Sequence, residues 1–244
     1  MKKLKIYHFV IFVTSILFYS CQTDEMCLQG SNNTITETIN VQNFNGIDLR
    51  IAGTIILTQG PTQEVKITAN DNIIEELKTN VNAGIWDIDF QNDCYSNYNL
   101  KINITVPNID KVYISGSGDI TVNDFENQND MTIKLSGSGK INLNKITGTE
   151  NLIIKISGSG RIDLLDTFST LENLDISMSG SGSFNGFLAP TKVCNISSSG
   201  SGNNKVNVLD NLNVSISGSG NTYYKGIPEI TQSISGSGSL INAN

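Results

Sequence analysis

Apolar side chains occupy alternate positions in short segments on both sides of a recurring tetrapeptide, Ser-Gly-Ser-Gly. Val112 and Ile114 precede the first copy, and Ile120 and Val122 follow it. Alternation that places β-branched residues on one side is typical of β-strands that bury one face. The pattern therefore predicts a repeating unit made of a strand, a Gly-rich corner, a second strand and a polar return.

The repeat has a regular period. Its seven copies begin at Ser115, Ser136, Ser157, Ser179, Ser199, Ser217 and Ser235, in steps of 21, 21, 22, 20, 18 and 18 residues. A period near 20 residues over half of a chain is the signature of a repeat protein. A strand pair with one apolar face cannot bury that face alone, so successive copies should stack, with equivalent strands about 4.8 Å apart. The prediction is an all-β solenoid with rungs of about 20 residues.

The tetrapeptide suits the corner of such a rung. We expect Gly116, Gly118 and their counterparts to adopt positive φ, which glycine tolerates because it has no Cβ. The serines are expected to hydrogen-bond to nearby backbone or to one another along the stack. A phosphate-binding Gly-rich loop requires a following helix and usually a lysine, and the sequence shows neither.

A smaller, less regular β-rich module is predicted at residues 41–106, before the solenoid repeats at 107–244. Its one predicted helix is Asp71 to Asn80, where Ile73, Ile74 and Leu77 share a face. The last repeats are less apolar, with Ser198 and Gln232 in inward positions. Terminal repeats of solenoids are commonly atypical, so this drift is consistent with capping.

Residues 1–20 have the layout of a secretory signal peptide, with three lysines followed by an apolar segment. Ser20-Cys21 resembles the lipobox of bacterial lipoproteins, which predicts lipidation of Cys21 and a flexible tether over residues 21–40. Ordinary signal-peptidase cleavage is the alternative. The acidic pair after Gln22-Thr23 resembles a surface export signal, so we expect an outer membrane lipoprotein, on the cell surface or else facing the periplasm.

Charge and histidine content limit the function classes. Three of the 16 basic residues and none of the 23 acidic residues lie in residues 1–20, which leaves 13 against 23 and a formal charge of about −10. Nucleic acids and anionic lipids require clustered Lys and Arg, so neither is an expected partner. The only histidine, His8, is removed with the signal, which excludes Ser-His-Asp and Cys-His sites. No cofactor or metal site is predicted.

Three cysteines follow Cys21. Cys27 and Cys94 could form a disulfide in an exported protein, although spacing alone does not decide connectivity. Cys194 is interpreted as structural, beside a strand and one residue off the inward pattern around Ile196.

Several stretches form a recognisable set: Phe44-Asn45-Gly46-Ile47-Asp48-Leu49, the turn at Gln59-Gly60, the segment from Asp71 to Asn80, and the Ile-Ser-Gly-Ser-Gly-x-Ile units. Together they resemble a known family, the putative auto-transporter adhesin head domain family, also called the GIN head domain. The resemblance covers roughly residues 41–240. It implies a right-handed parallel β-helix-like fold in exported, often lipid-anchored proteins, and it brings no catalytic residues.

The leading functional hypothesis is a non-enzymatic adhesin or scaffold of the cell envelope that binds an unidentified glycan or protein along the solenoid face. Asp119, Lys140 and Arg161 each follow a copy of the tetrapeptide, so they should stack as a candidate surface ladder. The simplest alternative for these three residues is a solvated face.

Two other functions are open. Parallel β-helices also host polysaccharide lyases and glycoside hydrolases, and Asp163, Asp166 and Asp175 could supply the paired carboxylates that hydrolysis requires. No pair at a distinctive spacing is present. A structural envelope spacer without a ligand shares every sequence feature with the adhesin and differs only in having no partner.

Overall fold

A computed structural model describes residues 27–168 and 171–244 of the chain. The predicted signal peptide and Cys21 lie outside the described residues. Across the described ranges the structure is a β-solenoid with rungs of about 21 residues, which confirms the predicted fold class. Nineteen of the strands in these ranges belong to one continuous hydrogen-bonded sheet.

The N-terminal part carries nine strands and the one helix of the described ranges. They are β1 (Leu28–Gln29), β2 (Thr34–Ile39), β3 (Gly46–Leu49), β4 (Thr54–Gln59), β5 (Glu64–Asn70), α1 (Asp71–Ile74), β6 (Val81–Asn82), β7 (Ile85–Ile88), β8 (Tyr95–Ser96) and β9 (Leu100–Val106).

The repeat part carries twelve strands within the described ranges. They are β10 (Lys111–Ile114), β11 (Asp119–Val122), β12 (Met131–Leu135), β13 (Lys140–Leu143), β14 (Asn151–Ile156), β15 (Arg161–Leu164), β16 (Asn173–Met178), β17 (Ser183–Ser198), β18 (Asn203–Ile216), β19 (Thr222–Lys225), β20 (Glu229–Ile234) and β21 (Leu240–Asn242).

The strands stack in parallel to form two long faces. The first face runs through β7, β3, β10, β12, β14, β16, the C-terminal halves of β17 and β18, and β20. The second face runs through β9, β4, β11, β13, β15, the N-terminal halves of β17 and β18, β19 and β21. The Ser-Gly-Ser-Gly corner joins the first face to the second within each rung. A short third side, where Phe125, Ile146 and Phe168 pair in parallel, leads to the next rung.

The core lies between these three sides. Inward residues of one rung stack on their counterparts in the next, as Ile120, Ile141 and Ile162 do on the second face, and all three are fully buried. Equivalent apolar side chains therefore form continuous columns, so each rung buries its apolar face against its neighbours.

The rungs do not stack in chain order at the N-terminal end. β3 and β4 pair with β10 and β11, while β7 and β9, which come later in the chain, pair with the far side of β3 and β4. The rung formed by residues 85–106 is thus the outer one. The ladder is continuous across the predicted boundary between residues 106 and 107.

Strands also form within the predicted tether. Residues 27–40 contain β1 and β2, and β2 pairs antiparallel with β5, so the expectation of a flexible tether is wrong for this part. β2 is an edge strand in which only Ile35 and Ile39 pack against the core. Because most of its side chains are exposed, the apolar signal that marks a strand is weak there. Cys27 and Cys94 form a disulfide that ties this segment to the loop before β8.

The predicted helix is shorter than expected. It ends at Ile74 rather than near Asn80. Beyond it, Leu77 pairs with Phe90 in a β-bridge, and the Lys78 N–H donates to the Asp89 carbonyl at 2.8 Å. The shared apolar face is real, with Ile73 and Leu77 buried, but backbone pairing with the loop after β7 replaces the second helical turn. Within residues 27–168 and 171–244, no helical segment has the length and hydrophobicity of a transmembrane helix.

The last rungs contain the predicted polar inward positions. Ser198 stacks between Met178 and Ile216, and Gln232 stacks on Val214. Cys194 also belongs to the inward set, since it lies on β17 between Leu174 and Leu212 and is fully buried. The expectation that Cys194 lies beside a strand and one residue off the inward pattern is wrong. Cys194 is part of β17, and because it is two residues from Ile196 both side chains point inward. Burial raises the pKa of the Cys194 thiol.

Candidate ligand-binding faces

The corner glycines are required for close approach between rungs, not for positive φ. Positive φ among described glycines occurs at Gly84, Gly148 and Gly226, all outside the tetrapeptides, so that expectation is wrong. A Cβ on Gly158 would overlap the carbonyl oxygen of Gly137 in the rung below. The corners stack so tightly because backbone hydrogen bonds join them, as from the Ser159 N–H to the Gly137 carbonyl at 3.1 Å.

The corner serines point outward and leave their hydroxyls available. Of the first serines of the seven copies, only Ser115 makes a side-chain hydrogen bond within the described part of the chain, donating to Asp48 at 2.9 Å. The predicted serine ladder of mutual hydrogen bonds therefore does not form. The exposed hydroxyls of Ser136, Ser157 and the equivalent serines of later rungs can instead hydrogen-bond to water or to a ligand.

The first face carries two outward rows in its C-terminal half. One row is an amide ladder: Asn195 donates to the Asp175 carboxylate at 2.8 Å, and Asn213 donates to the Asn195 amide oxygen at 2.9 Å. The other row consists of Ser177, Ser197, Ser215 and Ser233, which follow one another in register. A shallow trough of about 430 Å³ lies between the two rows. Among the residues that line it, only Asp175 is charged.

The candidate surface ladder forms a single row on the second face. Asp119 pairs with Lys140 and Lys140 with Arg161, on neighbouring strands directly beside the corner. Side chains of this row already make two contacts within the protein. The Asp119 carboxylate accepts the Lys140 backbone N–H at 2.9 Å, and the Lys140 amine lies 3.3 Å from the Asp163 carboxylate. A role in ligand binding remains a prediction for these residues.

The three carboxylates considered for hydrolysis do not come together. Asp163 lies on the second face in its ion pair with Lys140. Asp175 lies on the first face in the amide ladder. Asp166 follows β15 and accepts hydrogen bonds from Thr167. Within residues 27–168 and 171–244, no group of three His, Cys, Asp or Glu residues could hold a metal ion.

Sequence reasoning missed a bulge on β17. Between Gly186 and Pro190 the register with β18 shifts, and Phe187 lies at the start of this bulge. The amines of Lys225 and Lys205 lie 4.8 Å and 5.9 Å from its centroid, within cation–π range. The interrupted alternation between Phe184 and Pro190 was a signal that could have indicated this bulge.

Sequence comparison assigns the family. The model of the family described as "Putative auto-transporter adhesin, head GIN domain" matches residues 43–228. The chain belongs to this family. Membership in the GIN head domain family confirms the resemblance drawn from the sequence and indicates an adhesin-like protein of the cell surface or envelope. No functionally curated protein matches the chain.

Three crystal structures illustrate the fold of the GIN head domain. A putative adhesin from Bacteroides fragilis is 24% identical with a TM-score of 0.79, covering 88% of this chain and 99% of that one. A putative adhesin from Parabacteroides distasonis is 20% identical with a TM-score of 0.68, at 88% and 99% coverage. A putative lipid binding protein from the same species is 23% identical with a TM-score of 0.66, at 89% and 99%. At these identities the likeness shows the fold alone.

Proposed function

We propose that this GIN head domain protein is a non-enzymatic adhesin of the cell envelope that binds an extended glycan along the first face. The observation that carries the proposal is the trough between the amide row and the serine row. Its walls repeat at the strand spacing of about 4.8 Å, so they can contact successive units of one linear chain. Solenoids commonly use such extended surfaces for binding.

The chemistry of the trough suits a hydroxyl-rich ligand. Side-chain hydroxyls both donate and accept hydrogen bonds, and amides do the same with separate atoms. The serines along the trough have no side-chain hydrogen bonds of their own in the described residues, so ligand contacts would not have to displace existing ones. The row Asn195 and Asn213 is already held by its ladder, which reduces the entropy lost on binding.

Lipidation of Cys21 would hold this face outside the membrane, and we propose it as the anchor. Metabolic labelling of the source bacterium with a radioactive fatty acid should label the protein, and Cys21→Ser should abolish the label. Retention of the label in that variant would contradict the anchor. Digestion of intact cells with protease, compared with lysed cells, then distinguishes surface exposure from the periplasmic side.

The test of the binding function is to obstruct the trough. Purified full-length protein is applied to a glycan array together with Ser197→Trp, which places a bulky side chain in the middle of the serine row. Ser183→Trp is the matched control, because Ser183 faces outward on the second face. We expect Ser197→Trp to lose at least tenfold in affinity for the bound glycan and Ser183→Trp to retain it.

Two outcomes would overturn the proposal. Loss of binding in the Ser183 variant, with binding intact in the Ser197 variant, would move the site to the second face. Absence of any binder above background on glycan and matrix-protein arrays would favour the spacer without a ligand.

A further inference from the structure

Three lysines on the first face lack acidic partners. Lys134 and Lys155 lie opposite each other on the neighbouring strands β12 and β14 and point outward. Lys111 lies one strand further along, on β10, in the adjacent outward row. None of the three forms an ion pair with any residue that the structure describes.

Of the ten other lysines and arginines in the described ranges, five form ion pairs and five do not. Arg50 lies 3.0 Å from Asp48 and 2.8 Å from Asp87, the acidic residues at the N-terminal end of the row that contains Lys134 and Lys155. Asp175, the acidic neighbour on the other side, accepts its hydrogen bond from Asn195. Asp48, Asp87 and Asp175, three carboxylates of the first face, are thus already engaged.

This arrangement is unfavourable for stability on its own. Like charges directly opposite each other on adjacent strands destabilise a sheet. The chain has more acidic than basic residues, so an acidic residue opposite Lys134 or Lys155 would be compatible with its composition. Both lysines also lie on central strands, where cations are not needed to block edge pairing. A stacked and uncompensated lysine pair is better explained by an anion that binds there.

Hydroxyl groups surround the pair. A shallow trough of about 360 Å³ runs beside Lys134 and Lys155, and its other polar walls are serines: Ser136, Ser157, Ser177, Ser179, Ser197 and Ser199. The amine of Lys134 lies 4.4 Å from the centroid of the Tyr113 ring, which restricts its position. Ser177 and Ser197 also line the neutral trough of the first face, so the two troughs adjoin.

We propose that Lys134 and Lys155 bind the acid groups of an acidic polysaccharide, with Lys111 as a further contact. The inference rests on the proposed function, because it places the acid groups on the glycan that the first face binds. Strands lie about 4.8 Å apart, so two neighbouring amines can share one carboxylate or sulfate. The serine walls then bind the hydroxyls of the same chain.

The acidic net charge of the protein does not prevent such binding. At physiological ionic strength the Debye length is about 8 Å, so carboxylates on the far side of the solenoid are largely screened. A local cluster of amines governs contact at short range. The predicted consequence is binding that weakens as salt concentration rises.

The experiment measures binding of the full-length protein to immobilised polygalacturonate, which carries carboxylates, and to dextran sulfate, with neutral dextran as reference. Each is tested against wild type, Lys134→Gln/Lys155→Gln and the matched control Lys145→Gln/Lys225→Gln, which removes the same charge elsewhere. Lys134→Arg/Lys155→Arg keeps the charge. Thermal melts verify that every variant is folded.

We expect at least one of the two polyanions to bind more tightly than dextran. The Lys134/Lys155 glutamine variant should weaken this binding at least tenfold, since charge-assisted hydrogen bonds are lost. The control should change it less than threefold, and the arginine variant should retain it. The polyanion that binds more tightly identifies the acid group of the natural ligand as a carboxylate or a sulfate.

Several results would overturn the inference. One is polyanion binding that the glutamine variant leaves unchanged, and another is equal weakening in the control. Equally tight, Lys134-dependent binding of duplex DNA would reduce the pair to a general anion patch. If a neutral glycan binds and Ser197→Trp abolishes that binding while polyanions do not bind, the inference fails and the proposed function stands. If Lys134-dependent polyanion binding survives Ser197→Trp, the trough function fails instead.

Discussion

The two ends of the solenoid are built differently. At the N-terminal end the outer rung is covered: β5 pairs antiparallel with β9, β6 pairs antiparallel with β7, and the inward residues Trp86 and Ile102 are fully buried. At the C-terminal end β20 and β21 form the outer rung, and within the described residues no strand pairs with their far side. Ile230 and Ile234 there are 38% and 39% exposed.

The difference shows two ways to end a stack of parallel strands. An exposed sheet edge invites pairing with other chains, so natural proteins cover it or make it unattractive. The N-terminal end uses added strands, a helix and a disulfide. The C-terminal end instead lowers the apolar content of its last rungs, with Ser198, Asn204 and Gln232 at inward positions. We therefore expect substitutions at the N-terminal end and in the middle to unfold the whole stack, and those in the last rung to act locally.

The largest expected effect comes from a side chain in a central corner. Gly158→Val would place its Cβ against the carbonyl oxygens of Gly137 and Ser136, which are backbone atoms of the rung below. Overpacking of this kind costs about 3 kcal/mol of unfolding free energy. Gly236→Val makes the same contact with the Gly218 carbonyl, but only the last rung needs to detach. Gly236→Val should therefore lower the unfolding free energy by only about 1 kcal/mol.

Urea denaturation measures both free energies, with Ser157→Val as the control, because Ser157 points outward at the same corner. Equal losses for Gly158→Val and Gly236→Val would show that the last rung unfolds together with the middle. A melting curve of Gly158→Val identical to wild type would contradict the tight stacking of the corners.

The next effect concerns the N-terminal covering. Replacing Cys27 and Cys94 with serine removes a cross-link between residues 67 positions apart. Loss of a disulfide that closes a loop of this length should lower the unfolding free energy by about 2 kcal/mol. Addition of a reductant should lower the midpoint of wild type but not of the variant. If reductant has no effect on wild type, the disulfide does not contribute to holding the N-terminal end.

The sequence predicted the regular part of the fold well because the repeat signals its own geometry. Each copy fixes a corner, and the alternating Ile and Val residues on either side fix which face is buried. The N-terminal end was less predictable. Arg50-Ile51-Ala52-Gly53 occupies the corner equivalent to Ser-Gly-Ser-Gly, since Gly118 stacks on Gly53, but it lacks the repeat sequence. The out-of-order stacking of residues 85–106 depends on long-range pairing that no local pattern encodes.

The candidate site was predicted only in part. The row Asp119, Lys140 and Arg161 follows from the period, because residues at equal positions after each corner must stack. The pairing of Lys134 with Lys155 follows from the same period but stands out only once ion pairs are known. Whether a lysine has an acidic partner depends on side-chain reach across strands, which the spacing of one sequence does not determine.

The smallest effect tests the polar interior of the last rungs. Asn204 and Thr222 stack in register inside the second face, both fully buried, and neither side chain has a hydrogen-bond partner in the described structure. A buried hydroxyl without a partner is destabilising, so Thr222→Val should raise the unfolding free energy by about 1 kcal/mol. Thr121→Val, which faces outward on the same face, should change it by less than about 0.5 kcal/mol. A loss of stability in Thr222→Val would indicate that a buried water satisfies the hydroxyl. The polar interior would then stabilise the C-terminal end of the solenoid rather than weaken it.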